Sequence, residues 1–167
     1  AGCGPGKMSE LIFLKTSVEE IVLADPFPLM LMEADRKLRN RKIFHVLSLF
    51  EYMPFRNSSF DAVVCGFSLR DSIDFEGAIK ELSRTLRKNG KMVIVDLGKP
   101  DKFLLKTVIG LYWRFIVPLM SRLAFGKLGN FYSELYTTYL RYPTNSEIRK
   151  MLSNYFESIH VVERMLG

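Results

Sequence analysis

Three glycines alternate with other residues at the start of the sequence, at Gly2, Gly4 and Gly6. A backbone without side chains lets a ligand approach closely, and glycine also accepts backbone angles that other residues avoid. Asp25 stands 19 residues after Gly6, directly behind the apolar run 21–24. A carboxylate at the end of the strand after such a loop can accept both hydroxyl protons of a ribose. These residues predict a site for a nucleoside-containing ligand; a dinucleotide, a flavin and S-adenosylmethionine all satisfy the pattern.

Apolar segments alternate with amphipathic ones after this glycine loop. Strands followed by helices in regular alternation indicate an α/β protein with a parallel sheet. The predicted strands are 21–25, 43–49, 60–67 and 91–97, and the predicted helices are 8–14, 28–40 and 75–88, the last capped by Asp74 and ended by Asn89-Gly90.

The second half of the sequence is expected to be mostly helical. Proline interrupts helices because it lacks an N–H group, and a capping box marks a helix start. The expected elements are an apolar helix over 102–125 broken near Pro118, a helix over 132–142, a helix opened by Thr144 and Glu147 and ending near Asn154, and a last strand over 157–164.

Composition limits the class of protein. The 167 residues are 48% hydrophobic, which is enough for one domain with a core. The net charge of +6 permits anionic partners, namely nucleic acid, acidic lipid or phosphorylated metabolites, although a solvated basic surface is the simpler interpretation. Cys3 and Cys65 form neither a metal-ligand spacing nor a disulfide framework, which favours a reducing, cytoplasmic compartment. No stretch of about 18 uncharged apolar residues is found, so no transmembrane helix is expected.

Two segments beyond Asp25 resemble a known family. Residues 51–64, an acidic loop and strand, and residues 86–95, a helix–glycine–strand segment, are similar to class I S-adenosylmethionine-dependent methyltransferases. A narrower resemblance, to the ubiquinone/menaquinone-biosynthesis C-methyltransferases, rests on several shorter motifs in the right order. These motifs are Phe-Ser-Leu-Arg-Asp at 67–71, Leu-Gly-Lys-Pro at 97–100, segments within 117–126, and Tyr-Pro at 142–143.

This resemblance spans nearly the whole chain and implies a fold and a cofactor. The implied fold is a Rossmann-like three-layer sandwich with a mostly parallel sheet, forming a single methyltransferase domain over 1–167 in which 102–145 is a helical insertion on the substrate side. The implied cofactor is S-adenosylmethionine. The implied cofactor contacts are Gly2, Gly4 and Gly6 along the methionine part, Ser9 near its carboxylate, Asp25 at the ribose, Leu49 and Phe50 at the adenine, and Gly66 beside the sulfonium.

Arg70 and Asp71 are implied to face the substrate. A cation near a phenol oxygen favours the phenolate, which makes the ring carbon nucleophilic. Arg70 would supply that cation and Asp71 would accept the proton. A structural ion pair at a strand end is the competing interpretation of these two residues.

The sequence departs from the family pattern in three places. Leu49 replaces the polar residue expected at the adenine, and Asp71 stands where the family usually has asparagine. The acidic strand that normally precedes the glycine loop, and the last strand of the full domain, are not in the printed sequence. A sheet without its central strand leaves buried edges unpaired, so we expect the natural protein to be longer.

The segment 103–125 combines large apolar residues with Lys106, Arg114 and Arg122 at intervals of eight. Such a segment suits a hydrophobic substrate pocket, and it also suits peripheral contact with a membrane surface. A lid helix packed on the sheet, with its cations reaching water, is the competing interpretation.

The first hypothesis for function is methyl transfer to a ring carbon of a prenylated quinol precursor, a small hydrophobic aromatic substrate. A second keeps the enzyme class but takes another small lipid, a sterol or, less favoured, a nucleic acid as substrate. A third is a methyltransferase fold that binds without catalysis. No metal is expected in any of these.

Overall fold

A computed structural model describes residues 1–126 and 134–163 of the chain, which forms two compact units. The first unit runs from Ala1 to Asp96 and the second begins at Leu97. The first contains, in order, α1 (Lys7–Lys15), β1 (Glu20–Asp25), α2 (Pro28–Lys37), β2 (Lys42–Leu47), β3 (Phe60–Gly66), a 3₁₀ turn (Leu69–Asp71), α3 (Phe75–Thr85) and β4 (Leu86–Val95). The second contains α4 (Phe103–Leu111), a π turn (Tyr112–Ile116), α5 (Val117–Phe125), α6 (Glu134–Arg141) and α7 (Asn145–Ser153).

The strands form two parallel pairs. β1 pairs with β2, with Asp25 opposite Leu47, and β3 pairs with β4, with Gly66 opposite Val95. Parallel strands joined by helices confirm the predicted α/β fold.

Residues 1–3 join the two strand pairs. The amino group of Ala1 donates to the carbonyl of Val64 in β3 at 2.8 Å. The N–H of Cys3 donates to the carbonyl of Ala24 in β1 at 3.1 Å. The chain therefore enters the glycine loop between the carboxyl ends of β1 and β3, the edge at which open α/β sheets bind ligands.

Helix packing supplies the core of the first unit. One buried cluster joins α1, β1 and α2 through Phe13, Leu23, Leu31, Ala34 and Leu38. One face of α3 is buried, with Ala78, Leu82 and Thr85 at most 1% exposed. Burying a leucine-sized side chain contributes about 1.5–3 kcal/mol, so these faces fix the helices on the strands.

The predicted end of α3 is wrong by three residues. The helix ends at Thr85 rather than Lys88, because Leu86 is already extended and pairs with Phe60. The N–H groups of Ser58 and Ser59 donate to the carbonyls of residues 84 and 85, which draws the chain into the sheet. A register irregularity follows, and Asn89-Gly90, predicted to end the helix, lies inside β4, where Asn89 has φ 65°.

The long apolar helix is not broken at Pro118. α4, the π turn and α5 are continuous, and the N–H of Val117 donates to the carbonyl of Tyr112, five residues back. A π turn accommodates an irregularity without interrupting the helix, so Pro118 sits in the first turn of α5, where a missing N–H is tolerated.

The stretch Phe103–Ala124 is 22 residues long, and its most apolar 18-residue window has a mean hydropathy of 1.5, so by length and composition alone it could cross a membrane. The expectation that no run of 18 uncharged apolar residues exists still holds, because Lys106, Arg114 and Arg122 interrupt the stretch, whereas the helix passes on length and mean hydropathy. Its most apolar 18-residue window contains no buried residue.

The capping box is confirmed and the last strand is not. Thr144 Oγ1 accepts from the N–H of Glu147, whose carboxylate accepts from the N–H of Thr144 at 2.7 Å. Residues 157–163, the described part of the strand predicted over 157–164, are not a strand, since none of the described strands pairs with them. Residues 132–133 of the predicted helix over 132–142 lie outside the described residues. The single-domain organisation, with 102–145 as an insertion, stays a prediction.

Candidate functional site

Two of the three glycines of the loop, Gly2 and Gly6, are closely packed, and the third, Gly4, faces open space. A Cβ built on Gly6 would lie 3.0 Å from the Cβ of Ala34, so this residue lets the loop touch α2. A Cβ built on Gly4 would meet no atom within 4 Å. Both residues have positive φ, 79° and 49° respectively, which glycine adopts without strain. The space beside Gly4 is therefore where a ligand can approach the backbone.

Asp25 holds this loop in place. One carboxylate oxygen accepts from the N–H of Gly4 at 2.8 Å and the other accepts from the N–H of Phe27 at 3.0 Å. The residue is only 5% exposed. A carboxylate oxygen accepts more than one hydrogen bond, so both oxygens keep acceptor capacity for a hydroxyl. The structure thus gives Asp25 a loop-fixing contact that sequence reasoning missed, and its role at a ribose stays a prediction.

Gly2 and Phe50 pack against each other. A Cβ on Gly2 would lie 2.7 Å from the ring carbon Cζ of Phe50 and 2.5 Å from the Cβ of Ser68. Phe50 is buried, whereas the neighbouring Leu49 is exposed to 38%. Both follow β2 at the carboxyl edge that also carries Asp25. The structure brings the loop and these two residues to one edge, and their contact with an adenine stays a prediction.

The end of β3 is tightly packed. A Cβ on Gly66 would lie 2.7 Å from the methyl carbon of Met8, so a larger residue there would require the flexible end of the Met8 side chain to move. Phe67 has φ 55°, a left-handed conformation that is uncommon outside glycine, and its N–H donates to the carbonyl of Val95 at 2.7 Å. Strain of this kind costs on the order of 1–3 kcal/mol and is frequent at functional sites. No sequence pattern signals it.

Ser9 lies on α1, two residues inside the helix that begins after the glycine loop, and is buried. Its place next to the loop is as expected, and its contact with a carboxylate stays a prediction.

Arg70 is paired with an acid that the sequence analysis did not single out. Its backbone N–H donates to one oxygen of Asp96 at 3.2 Å, and its Nη1 donates to the other at 3.3 Å. The side chain of Asp96 is 3% exposed, whereas that of Asp71 is 62% exposed and lies 3.8 Å from Arg70 Nε. The buried Nε of Arg70 has no hydrogen-bond partner among the described residues. Asp96 ends an apolar strand just as Asp25 does, and that signal was available.

The acidic loop at 51–60 is held by α3. The carboxylate of Glu51 accepts from the N–H groups of Ile73 and Asp74, at 2.8 and 3.0 Å. Arg84 donates to the carbonyls of Met53 and Phe55, and its guanidinium holds the pKa of Glu81 below the usual range. Glu51 therefore supports the start of α3.

Neither cysteine is a thiolate. Burial and the nearby Asp25 raise the pKa of Cys3 to about 11, and burial raises the pKa of Cys65. A thiol with a pKa this high is neutral near pH 7 and is a poor nucleophile. Cys3 therefore acts as a small packing residue of the loop.

These features define a class: a parallel α/β domain whose glycine loop and strand-end carboxylate sit at the carboxyl edge of the strands. Residues 1–94 match the family described as "Methyltransferase domain". The chain belongs to this methyltransferase-domain family.

Known proteins agree with this assignment. The chain is 30% identical over 119 residues, 71% of its length, to a demethylmenaquinone methyltransferase of Staphylococcus aureus. It spans about half of that relative, 48%. The YcgJ protein of Bacillus subtilis has a similar fold, with a TM-score of 0.69 at 20% identity, covering 92% of this chain and 58% of that one. A SAM-dependent methyltransferase of Thermotoga maritima matches with a TM-score of 0.58 at 20% identity, covering 92% and 59%.

The family and these folds support S-adenosylmethionine as the cofactor. The site fits it, because a Cβ-sized space is open beside Gly4 and the adjacent Asp25 carboxylate retains acceptor capacity.

Proposed function

We propose that this chain is the cofactor-binding and catalytic part of an enzyme that transfers a methyl group to a ring carbon of a prenylated quinol precursor of the ubiquinone/menaquinone type. The observation that carries methyl transfer is the contact between Gly4 and Asp25 beside the open space of the loop. The quinol substrate is supported by the similarity to a demethylmenaquinone methyltransferase.

The chain's own task is to hold and orient its ligands. When bound, the cofactor supplies a methyl group on a positively charged sulfur, which is electrophilic without further activation. Orientation then accounts for much of the rate, since holding two reactants in line is worth up to about 7–11 kcal/mol. Asp25 fixes the loop backbone, and Gly66 leaves the end of β3 without a side chain.

Arg70 and Asp71 are the proposed substrate-side groups. The exposed carboxylate of Asp71 accepts the phenol proton, while the guanidinium of Arg70 stabilises the phenolate oxygen. The electron pair of the phenolate would then form the bond from the ring carbon to the methyl group, while the bond from that methyl group to the cofactor sulfur would break and leave a neutral thioether. The proton on the ring carbon would then leave to water. Asp96 would hold Arg70 in position for this step.

A second candidate is a methyltransferase fold that binds without turnover. The pairing of Arg70 with the buried Asp96 favours it, because a guanidinium already neutralised by a carboxylate is a weaker partner for a phenolate. A different methyl acceptor, either a sterol or another small lipid, is the alternative within the enzyme class.

Labelled methyl transfer tests the proposal on the natural full-length protein. We expect label from S-adenosylmethionine to enter the ring of demethylmenaquinone, and not tRNA. Asp71→Ala, which removes the proposed proton acceptor, should lower kcat at least tenfold with cofactor affinity unchanged by calorimetry. Binding of the cofactor without transfer of label to any lipid acceptor would instead support the second candidate, a methyltransferase fold that binds without turnover. No cofactor binding at all would refute both candidates.

A further inference from the structure

The continuous helix of α4, the π turn and α5 exposes an apolar stripe along one side. Its members are between 50 and 80% exposed. We define the outer stripe as Leu104, Val108, Leu111, Phe115, Leu119 and Leu123. Contiguous exposed apolar surface of this length marks a site of interaction rather than ordinary surface.

The opposite side of the helix is already used for packing inside the second unit. Tyr139 on α6 is buried, and its hydroxyl donates to the carbonyl of Lys106 at 3.1 Å. Its ring lies 3.6 Å from a Cβ built on Gly110. Ser121, on the same inner side, is buried as well. The helix is therefore anchored through its inner side, and the outer stripe remains for another partner.

The charge of this segment is of one sign. Lys106, Arg114 and Arg122 lie on the helix, and the sequence contains no aspartate or glutamate from 102 to 133. Arg114 and Arg122 are exposed. An apolar face with cations beside it is complementary to a bilayer that contains anionic lipid, since the hydrocarbon takes the apolar side chains and the headgroups take the cations.

We propose that the outer stripe lies in the interface of an anionic membrane, with the helix axis parallel to the membrane plane. Arg114 disfavours a helix that spans the membrane, because it falls near the middle of the 22-residue stretch and would sit in the hydrocarbon centre of a spanning helix. In the plane of the interface, its long side chain reaches the headgroups.

Arg114 also disfavours a second copy of this chain as the occupant. A two-fold, antiparallel pairing of outer stripes places residues near the helix midpoint beside their own counterparts. Arg114 would then face a like charge across an apolar interface, which is unfavourable. The membrane proposal does not depend on methyl transfer, so each can fail alone.

Vesicle flotation of the natural full-length protein tests the proposal. The vesicles are phosphatidylcholine alone, or equal parts phosphatidylcholine and phosphatidylglycerol. We expect binding to the mixed vesicles only, weakening as salt is raised. Trp113 is the only tryptophan of the sequence and lies on this helix, so its emission should shift to shorter wavelength on binding.

Matched variants separate the apolar from the charged contribution. Leu119→Ser with Leu123→Ser should weaken binding at least tenfold, whereas Ile73→Ser, which removes an 82% exposed side chain from the first unit, should not change it. Arg114→Gln with Arg122→Gln should weaken binding about thirtyfold on mixed vesicles, whereas Arg149→Gln with Lys150→Gln on α7 should change it less than threefold.

Four results would overturn the proposal. One is the absence of flotation with anionic vesicles, and another is binding that the four stripe and arginine substitutions leave unchanged. A third is resistance of the bound protein to carbonate extraction, which would indicate a spanning helix. The fourth is a dimer in sedimentation that the leucine substitutions dissociate, which would assign the stripe to a second copy.

Discussion

In the first unit Leu69, Ile79 and Leu82 are at most 1% exposed, whereas in the second unit Leu104 and Leu123 are 76 and 80% exposed. Among the described residues of the second unit, the buried hydrophobic side chains are those of Tyr139 and Tyr142. The first unit is thus organised by an apolar interior. The second contains polar contacts between distant parts of its sequence, such as Lys99 Nζ donating to the carbonyls of Leu140 and Tyr142. The two units have a similar share of hydrophobic residues. In the first unit many of these side chains are buried in a core, whereas in the second unit most of those described stay exposed.

Truncation of one leucine in each unit gives the largest expected contrast. Leu82→Ala should lower the free energy of unfolding by about 2–5 kcal/mol, because it leaves a cavity under α3. Leu123→Ala should change it by less than about 0.5 kcal/mol, because its side chain is already in solvent. Urea unfolding of the natural full-length protein measures both, and equal losses would contradict the contrast.

Asp96→Asn tests whether the interior of the first unit also depends on a charged pair. The substitution leaves the largely buried Arg70 guanidinium without its carboxylate, so we expect a loss of about 2–3 kcal/mol. Asp71→Asn, at an exposed position, serves as the control and should be near neutral in stability. If Asp96→Asn leaves the free energy of unfolding unchanged, Asp96 is not the residue that positions Arg70.

Alanine at two glycines separates packing from ligand space within the first unit. Gly6→Ala should destabilise by about 1–3 kcal/mol, since its φ is positive and the new Cβ meets Ala34. Gly4→Ala should lower the free energy of unfolding by only about 1 kcal/mol. It should weaken the binding of S-adenosylmethionine, measured by calorimetry, at least tenfold. An unchanged affinity for S-adenosylmethionine in the Gly4→Ala variant would show that the ligand does not bind beside this loop.

The capping box of α7 gives the smallest effect and lies in the second unit. Hydrogen bonds from Thr144 lower the pKa of Glu147, and those from Ser146 lower the pKa of Asp101. A carboxyl whose folded pKa is lowered stabilises the fold above its unfolded pKa, about 4.3 for Glu, and loses that contribution as the pH falls through the folded value. Thr144→Ala should cost about 1 kcal/mol at pH 7 and progressively less below pH ~4. A cost that is constant with pH would show that the Glu147 charge is not involved.

Local patterns were sufficient for the succession of strands and helices in the first unit and for the glycine loop. β1 and β3 are short apolar runs ended by turn signals, and the box at Thr144 is a contiguous motif. Features set by contacts distant in sequence were not predictable. The early end of α3 depends on pairing with Phe60, and the positive φ of Phe67 depends on Val95. The place of Asp96 at a strand end could be read from the sequence, but its pairing with Arg70, 26 residues away, could not.

The π turn keeps the exposed leucines of the second unit on one side. In a regular α-helix, residues four apart drift by about 40° around the axis, so a stripe built on such steps winds gradually away. In the wider turn at Tyr112–Ile116 each residue rotates less about the helix axis than in an α-helix. This smaller rotation offsets part of the drift and keeps Leu119 and Leu123 on the same side as Leu111. Because a π turn holds one residue more than an ordinary turn, losing one residue there would leave the two leucines nearly where they are. Losing one residue within α5 instead, such as Met120, would rotate Leu123 by about 100° and take it off the shared side.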